Sequence, residues 1–481
     1  MRAQNSNSKK KPRGLAHWMR KTLQECDKVG ADFAPDPVHD LRVAIRRCRS
    51  LADGFLALDP DPDWKRMKKA AKPLFRALGD LRDVQVMREW VQKLAEPQDP
   101  VAKALLDHLE QREQQLKAEA ADALKEFDRQ KWRAWCGSLP GRSRRLPLES
   151  LAFQHMALER WQEARKLHAA ALRSRSGAAM HRLRIGIKRF RYTLENFLPR
   201  RHAAWGKTLA HLQDLLGEVH DLDVLWQRAL QVHAFVDAES QSRWHRRITA
   251  ERDQRVSEYR SLTLGKSSVW LEWRAGLPQD DKLRAAGIAK LAAWASFRDP
   301  EFAQTRAVAQ VALKIYDGLH ANGARPEGSR QQARNILHAA ALARDAGRIK
   351  ADKKHQKYSY KQILKLEPPL GWSREDLRLA ALAARYHHGA LPSSKRKPFD
   401  TLSPSEQQQT NLLAGILRVA GTLARNGAAD VKVENSGPVT LIEAADFDDL
   451  GAAGAQLAGD RYLLEMACGK PVMVRKAPLA N

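Results

Sequence analysis

The stretch Val38-His39-Asp40-Leu41-Arg42-Val43-Ala44-Ile45-Arg46-Arg47-Cys48-Arg49 returns far downstream as Met180-His181-Arg182-Leu183-Arg184-Ile185-Gly186-Ile187-Lys188-Arg189-Phe190-Arg191. At about 100° per residue, His39, Arg42, Arg46 and Arg49 fall within a stripe roughly 80° wide. Leu41, Ile45, Cys48, Ala52 and Phe55 take a different face and are expected in the core. The second copy repeats both faces: His181, Arg184, Lys188 and Arg191 on one, Leu183, Ile187, Phe190, Leu194 and Phe197 on the other. Each copy predicts a helix that buries an apolar stripe and holds a column of cations away from it.

The neighbours of the two helices repeat as well. Leu78-Gly79-Asp80-Leu81-Arg82-Asp83-Val84 follows the first, and Leu216-Gly217-Glu218-Val219-His220-Asp221-Leu222 follows the second. Two such anchors mark an internal duplication of about 140 residues per unit. The first repeat, about 14–135, predicts helices over 14–29, the His39 stretch, 63–79, Asp83 to Leu94, and 101–135. The Gly137 to Pro147 stretch is expected to punctuate the chain. The second repeat, about 150–275, predicts helices over 150–173, the His181 stretch, 203–216, and from Asp221 onward. Two such units predict a pseudo-two-fold pair of antiparallel helical bundles whose basic helices are able to face one another. Residues 1–13 are expected to be a basic disordered tail.

Residues 264–284 have the composition of a connection. Helical periodicity resumes over about 299–322, 328–347, 356–365, 373–388 and 405–425. Short alternating runs at Val431 to Val433, Val439 to Ile442 and Pro471 to Val474, with a helix over 449–467, predict a small sheet. The fold class expected is mainly α, with a small C-terminal α+β tail.

The chain has 481 residues and a formal charge of +27, with a sequence pI near 10.1. That charge repels itself in the compact state and attracts polyanions. The excess leans towards the first part of the chain. Cys26, Cys48, Cys136 and Cys468 are scattered and form no CxxC pair, which suits a reducing cytoplasm. No apolar run approaches the length of about 18 residues that spans a bilayer, so no membrane partner is expected.

An anion site needs several cations close together, because one exposed pair contributes little against salt and side-chain entropy. Arginine brings a fork of donors, lysine a point charge, and histidine an NH donor. Lys65, Lys69, Lys72 and Arg76 lie at helical spacing on the helix after the first stripe. In the second repeat only Lys207 keeps register, opposite Lys69, and Asp214 replaces Arg76. The first wall is therefore expected to be the more basic. Both stripes are poor in acidic residues until Asp53 and Glu195. DNA readers present polar groups to base edges, and single-strand binders add aromatic platforms. The stripes show no aromatic on the basic face, so a bare phosphate chain fits better than nucleic acid, which stays as the weaker alternative.

The pattern His-x-x-Arg-x-x-x-(Arg/Lys)-Arg-x-Arg, followed by Leu-Gly-x-x-(Arg/His)-Asp, resembles the CHAD domain, the conserved histidine α-helical domain, over residues 14–275. The resemblance implies two helical bundles around a basic channel that binds inorganic polyphosphate. It implies a binding wall of His39, Arg42, Arg46, Arg47, Arg49, Lys69 and Arg82 with His181, Arg184, Lys188, Arg189, Arg191 and Lys207. Lys72 and Arg76 extend that wall on the periodicity alone. His220 stands where the first repeat has Arg82.

Residues 285–476 resemble the C-terminal, HD-like helical domain of exopolyphosphatase/guanosine pentaphosphate phosphatases. The resemblance is carried by Leu337-His338 through Ala343-Arg344-Asp345-Ala346-Gly347, His355 to Tyr360, Arg385-Tyr386-His387-His388 and Leu417 to Arg425. Metal-dependent HD hydrolases need a His-Asp pair and a distant Asp. Arg344 stands in the place of that His and Gly421 in the place of that Asp, so no metal, no other cofactor and no catalytic residue is expected. The expectation is a cytoplasmic protein that binds polyphosphate without hydrolysing it, with association to polyphosphate granules. The alternative is a phosphohydrolase acting on polyphosphate or guanosine polyphosphates.

Overall fold

A computed structural model describes residues 14–29, 33–174, 176–321, 327–351, 353–435, 437–445, 447–448 and 451–477. The expected tail at 1–13 lies outside them. The chain divides into two compact units, one of residues up to Ala57 and from Asp61 to Pro278, the other of Leu58–Pro60 and Gln279 onward.

The first unit begins with helices α1 (Leu15–Lys28), α2 (Pro35–Phe55), α3 (Asp63–Ala70), α4 (Lys72–Leu94), α5 (Pro100–Lys125) and α6 (Arg129–Ser143). It continues with α7 (Leu151–Ser174), α8 (Gly177–Phe197), α9 (Pro199–Gln231), α10 (Ala238–Thr263) and α11 (Val269–Ala275). Proline at the first turn opens α2, α4, α5 and α9, where its missing N–H costs nothing. In each repeat the basic helix packs between its neighbours, α2 against α1 and α4, α8 against α7 and α9, and α2 also packs on α8. The apolar stripes are buried as expected: Leu41, Ile45, Cys48 and Ala52 are 0% exposed, as are Leu183, Ile187, Phe190 and Leu194. Phe55 and Phe197, at equivalent positions of the two copies, meet edge-on at 5.8 Å.

Several helix limits differ from expectation. The chain breaks at Ala71, and α4 then runs unbroken through Gly79, just as α9 runs through Gly217. Packing along both helices overrides the modest helix penalty of glycine, about 1 kcal/mol. The expected 101–135 helix breaks near Asp128, whose side chain caps the Lys131 N–H at 2.8 Å and starts α6. Helix α6 then carries through the expected punctuation to Ser143, because Leu139 and Pro140 are buried. The expected connection at 264–284 contains α11, which buries Trp270 and Trp273.

The second unit holds α12 (Asp280–Ser296), α13 (Phe302–Leu319), α14 (Glu327–Ala343), α15 (His355–Ile363), α16 (Arg374–Tyr386) and α17 (Pro404–Arg425). Helix α12 was not among the sequence expectations. Asp280 and Asp281 favour its positive N-terminal end, and Ile288, Leu291 and Trp294 bury its inner face. Capping boxes start α16 at Ser373/Asp376 and α17 at Ser403/Glu406. Strands β1 (Val431–Glu434) and β2 (Thr440–Ala444) follow, then α18 (Ala452–Asp460), α19 (Tyr462–Cys468) and β3 (Val472–Lys476). Strand β2 is central, antiparallel to β1 and parallel to β3. The chain is thus mainly α with one small sheet among the described residues. No described helix is long and apolar enough to cross a membrane.

Candidate functional site

The two basic helices bring the middle of their stripes to one cleft, while Arg42, Arg184 and Arg191 stand outside its lining. A cavity of about 440 Å³ is lined by Arg46, Arg49, Lys68 and Phe75 from the first repeat and by Lys188, Arg189 and Tyr192 from the second. Arg46 and Lys188 are equivalent residues of the two copies, and both line this cavity. Lys188 is pushed down to about 8, by burial first and then by Arg184, Arg46 and Arg42. Burial also lowers Arg42 and Arg49.

The repeated Leu-Gly phrase has a local function in this geometry. A Cβ on Gly79 would stand 2.8 Å from Nη1 of Arg42, and one on Gly217 would stand 3.6 Å from Nε of Arg184. Gly79 therefore lets Arg42 lie against the backbone of the next helix, whereas at Gly217 a side chain would make only an ordinary contact with Arg184. Four residues after each glycine comes an aspartate. Asp83 and Asp221 interact with one another and with Arg184 and Lys188. Burial raises Asp83, and burial raises Asp221 to about 6, against the pull of Arg184. Asp83 is exposed on α4, whereas Asp221 is half-buried on α9, so burial bears chiefly on Asp221. These carboxylates come from other helices, so the scarcity of acids within the stripes did not reveal them; their repeated place in the Leu-Gly phrase was the available signal.

Several of the cationic donors lack protein acceptors. Nη1 of Arg42, Nε of Arg46, Nη1 of Arg49, and Nε of both Arg184 and Arg191 are buried without a hydrogen-bond partner. Buried polar groups in folded proteins are almost always satisfied, so such atoms, at related positions of both repeats, must find acceptors in water or in a ligand. Aromatic rings support some of these guanidinium groups. Arg42 and Arg49 lie over Phe75 at 5.5 and 4.9 Å, and Arg46 lies over Tyr192 at 5.1 Å. This corrects the expectation of a basic face without aromatics: Tyr192 follows Arg191 on α8, and Phe75 is donated by α4. The rings are occupied by guanidinium groups rather than free for base stacking.

Other predicted residues fall elsewhere. Arg47 is drawn away from the cleft: it pairs with Glu195, donates to Asn196 at 3.4 Å and lies over Trp18 at 5.0 Å. Its physical partner is the opposite repeat, so it locks the two bundles. Arg189 reaches the cavity but donates to Glu163 at 2.6 Å. Arg191 donates to Gln213 at 3.2 Å. Lys69, Lys72, Arg76 and Lys207 are exposed and do not line the cavity. Arg76 pairs with Asp80 at 3.7 Å, and Arg82 with Glu89 at 3.3 Å. Lys68, which the sequence reading passed over, lines the cavity instead and pairs with Asp53. Helix α3 decides this, because it buries Trp64 and Met67, which turns Lys68 inward and leaves Lys69 exposed; the break at Ala71 then ends the register that joined Lys69 to Lys72 and Arg76.

The histidines also differ between repeats. His39 is exposed at the start of α2. His181 packs its ring on His220 at 4.3 Å, and both line a separate cavity of about 770 Å³ with Asp223 and Trp226. Burial lowers His181, and burial with His181 and Arg184 lowers His220 to about 4. Both are neutral at pH 7, so this end of the second repeat gains no charge from them.

In the second unit, Asp345 is the centre of a buried cluster. Its Oδ2 accepts from Nε of Arg344 at 3.0 Å. Its Oδ1 lies 2.9 Å from Nε2 of His355 and 3.6 Å from Nε2 of His387. Burial opposes ionisation of Asp345, but His355, His387 and Arg344 prevail and hold its carboxyl well below the usual range. Asp345, His355 and His387 put one ligand atom each within 4.8 Å of one another. They do not fit the HD hydrolytic metal, however. The Arg344 guanidinium takes the second oxygen of Asp345, and a Cβ on Gly421 would lie 3.2 Å from its Nη1. The two replaced positions thus meet in space, and a fixed cation stands where the HD pattern needs a histidine and a carboxylate.

Comparison with known proteins places both units. Residues 13–230 match the family model described as CHAD domain. Residues 283–446 match that described as Ppx/GppA phosphatase, domain III. A solved structure, the crystal structure of the CHAD domain from the plant Ricinus communis, is 24% identical, with a TM-score of 0.38, over 55% of this chain and 88% of that one. No curated protein matches the chain.

Proposed function

We propose that this chain, which joins a CHAD domain to a Ppx/GppA phosphatase domain III, binds inorganic polyphosphate in the cleft between α2 and α8 and does not hydrolyse it. The observation that carries the reading is the set of buried, unpartnered guanidinium donors at related positions of the two repeats. A phosphate chain offers acceptor oxygens at short, regular intervals, with negative charge at every unit. It meets the unpaired N–H groups of Arg42, Arg46, Arg49, Arg184 and Arg191 and relieves the repulsion that adds to burial in depressing Lys188. A duplicated wall suits a linear ligand without end-to-end polarity, because each half can grip a successive segment in the same way.

Nucleic acid fits this cleft less well, since Phe75 and Tyr192 are covered by guanidinium groups and leave no stacking platform. A phosphohydrolase is the other alternative. The contact of Arg344 with Asp345 beside Gly421 weighs against it, and steady phosphate release with Mg²⁺, Mn²⁺ or Zn²⁺ would establish it instead. A cytoplasmic site of action, alongside polyphosphate granules, belongs to the binding reading.

The test is the affinity of the full chain for long-chain polyphosphate as a function of salt. Binding that weakens linearly on a log–log plot, with a slope that counts several neutralised phosphates, is the expected result. Polyphosphate should displace an oligonucleotide at equal phosphate concentration, and the reverse exchange should fail. Salt-insensitive binding, or none, would sink the reading.

A further inference from the structure

We infer that Tyr192 is a ligand-binding residue of the cleft: its hydroxyl donates a hydrogen bond to a phosphate oxygen, and its ring positions Arg46 for the neighbouring phosphate. The inference rests on the polyphosphate reading above and adds to it a neutral donor that no charge pattern marks. Tyr192 lines the cavity between α2 and α8. Its hydroxyl is buried and has no hydrogen-bond partner. Tyr192 stands four residues, about one turn, after Lys188 on α8, so the two share a face, and both line the cavity. From the other repeat, the Arg46 guanidinium lies over the Tyr192 ring at 5.1 Å, and Nε of Arg46 is likewise buried and unpartnered. A guanidinium, an ammonium and a phenol thus line one cavity.

The first repeat carries a hydroxyl at the same place. Ser50 follows Arg49 as Tyr192 follows Arg191, and Ser50 lines the cavity too. The two hydroxyls are used differently. Ser50 accepts from Nδ2 of Asn196 at 2.9 Å and so ties α2 to α8. Thr193, also in the lining, donates to the Arg189 carbonyl at 2.9 Å. Tyr192 is the lining hydroxyl whose oxygen no described protein group engages. A hydroxyl bonded to an anionic oxygen makes a shorter, stronger bond than one between neutral groups. In the free protein its acceptor is a trapped water or nothing. A phosphate chain takes that place as the long side chains of Arg46 and Lys188 turn to the ligand. Unlike a cation, the hydroxyl neutralises no phosphate and releases no counterion, so its contribution does not fall with salt. The ring acts separately, by holding Arg46 across the boundary between repeats through the attraction of a cation to an aromatic face.

The experiment measures dissociation constants of the full chain for long-chain polyphosphate over a series of salt concentrations. Tyr192→Phe keeps the ring and loses the hydroxyl. It should bind about tenfold weaker at every salt concentration, with the wild-type log–log slope and a Tm within about 2 °C of the wild type. Tyr192→Leu removes the ring as well. It should bind weaker still, with a slope shallower by about one, because Arg46 loses its support. Wild-type affinity in Tyr192→Phe overturns the hydroxyl contact while polyphosphate binding stands. A shallower slope in that variant does the same, since it leaves Tyr192 only as a support for Arg46. So does a Tm lower by several degrees, or failure to fold, because the hydroxyl then serves the fold. A Leu variant with the affinity and slope of the Phe variant overturns the positioning of Arg46. A wild type that binds at no salt concentration overturns the polyphosphate reading itself, and the inference with it.

Discussion

Around Asp345, a carboxylate, a guanidinium and two imidazoles close on one another: Arg344 takes one oxygen at 3.0 Å and His355 the other side at 2.9 Å. In the cleft between α2 and α8, cations outnumber carboxylates, and donors of Arg42, Arg46, Arg49, Arg184 and Arg191 are left without acceptors. Both regions gather charge inside helical frames. The cluster in the second unit pairs its charges within itself, and the cleft in the first does not. A self-paired cluster is a structural device, in which loss of one member leaves its partner buried and unpaired. An unsatisfied one carries a standing cost that a ligand of opposite charge removes.

The contrast can be broken most decisively at the cleft. Reversal of the symmetry-related pair, Arg46→Glu with Lys188→Glu, should weaken polyphosphate binding by about a thousandfold or more, about 4 kcal/mol. Circular dichroism should show unchanged helix content. An equal loss on reversing Lys9 and Lys10 would indicate diffuse attraction in place of a site. Next in size is Arg344→Ala, which should cost about 3–4 kcal/mol of stability in the second unit by leaving Asp345 uncompensated. Chemical denaturation measures it, and polyphosphate affinity should not move. If affinity fell instead, the two regions would not differ in the way described.

A smaller effect sharpens the comparison. Lys188→Met should stabilise the ligand-free protein by about 1 kcal/mol, read as a rise in Tm of ~2–4 °C, while it weakens binding. The sign follows from the depressed lysine. Lys188 titrates at about 8 when folded and at about 10.4 when unfolded. Between those values the unfolded state holds the extra proton, so wild-type stability should climb with pH there, and the Met variant should lose that climb. The smallest effect separates the repeats. Gly79→Ala forces Arg42 to shift from a 2.8 Å approach, whereas Gly217→Ala leaves Arg184 at 3.6 Å. The first should weaken binding about threefold; the second should be near neutral or gain the helix preference of alanine. Calorimetric titration of both variants checks the asymmetry.

The helical class, the apolar faces of α2 and α8, and their pairing were legible in the duplicated pattern, because period and phase survive without knowledge of neighbours. Arg42, Arg46, Arg49, Arg184 and Lys188 were legible for the same reason. Lys68 and Phe75 were not. Lys68 enters the cavity because α3 buries Trp64 and Met67 and turns Lys68 inward with them, and Phe75 arrives from a helix that starts only after the break at Ala71. Arg47 and Arg189 matched the motif, yet their acidic partners lie on other helices, about which a stripe says nothing. The replaced HD positions were visible as Arg344 and Gly421, but their contact in space was not.

What the sequence determined by itself was which residues share a face, since helical periodicity is a local property of the chain. It thereby specified two cationic stripes and the glycine beside each. The tertiary structure decided which charges are answered. Burial and ion pairing depend on distances between helices far apart in the chain, and electrostatic energy is a function of those distances. The stripes were written in the sequence twice; that Arg46 and Arg49 of one share a cleft with Lys188 of the other was settled only by the packing of α2 on α8.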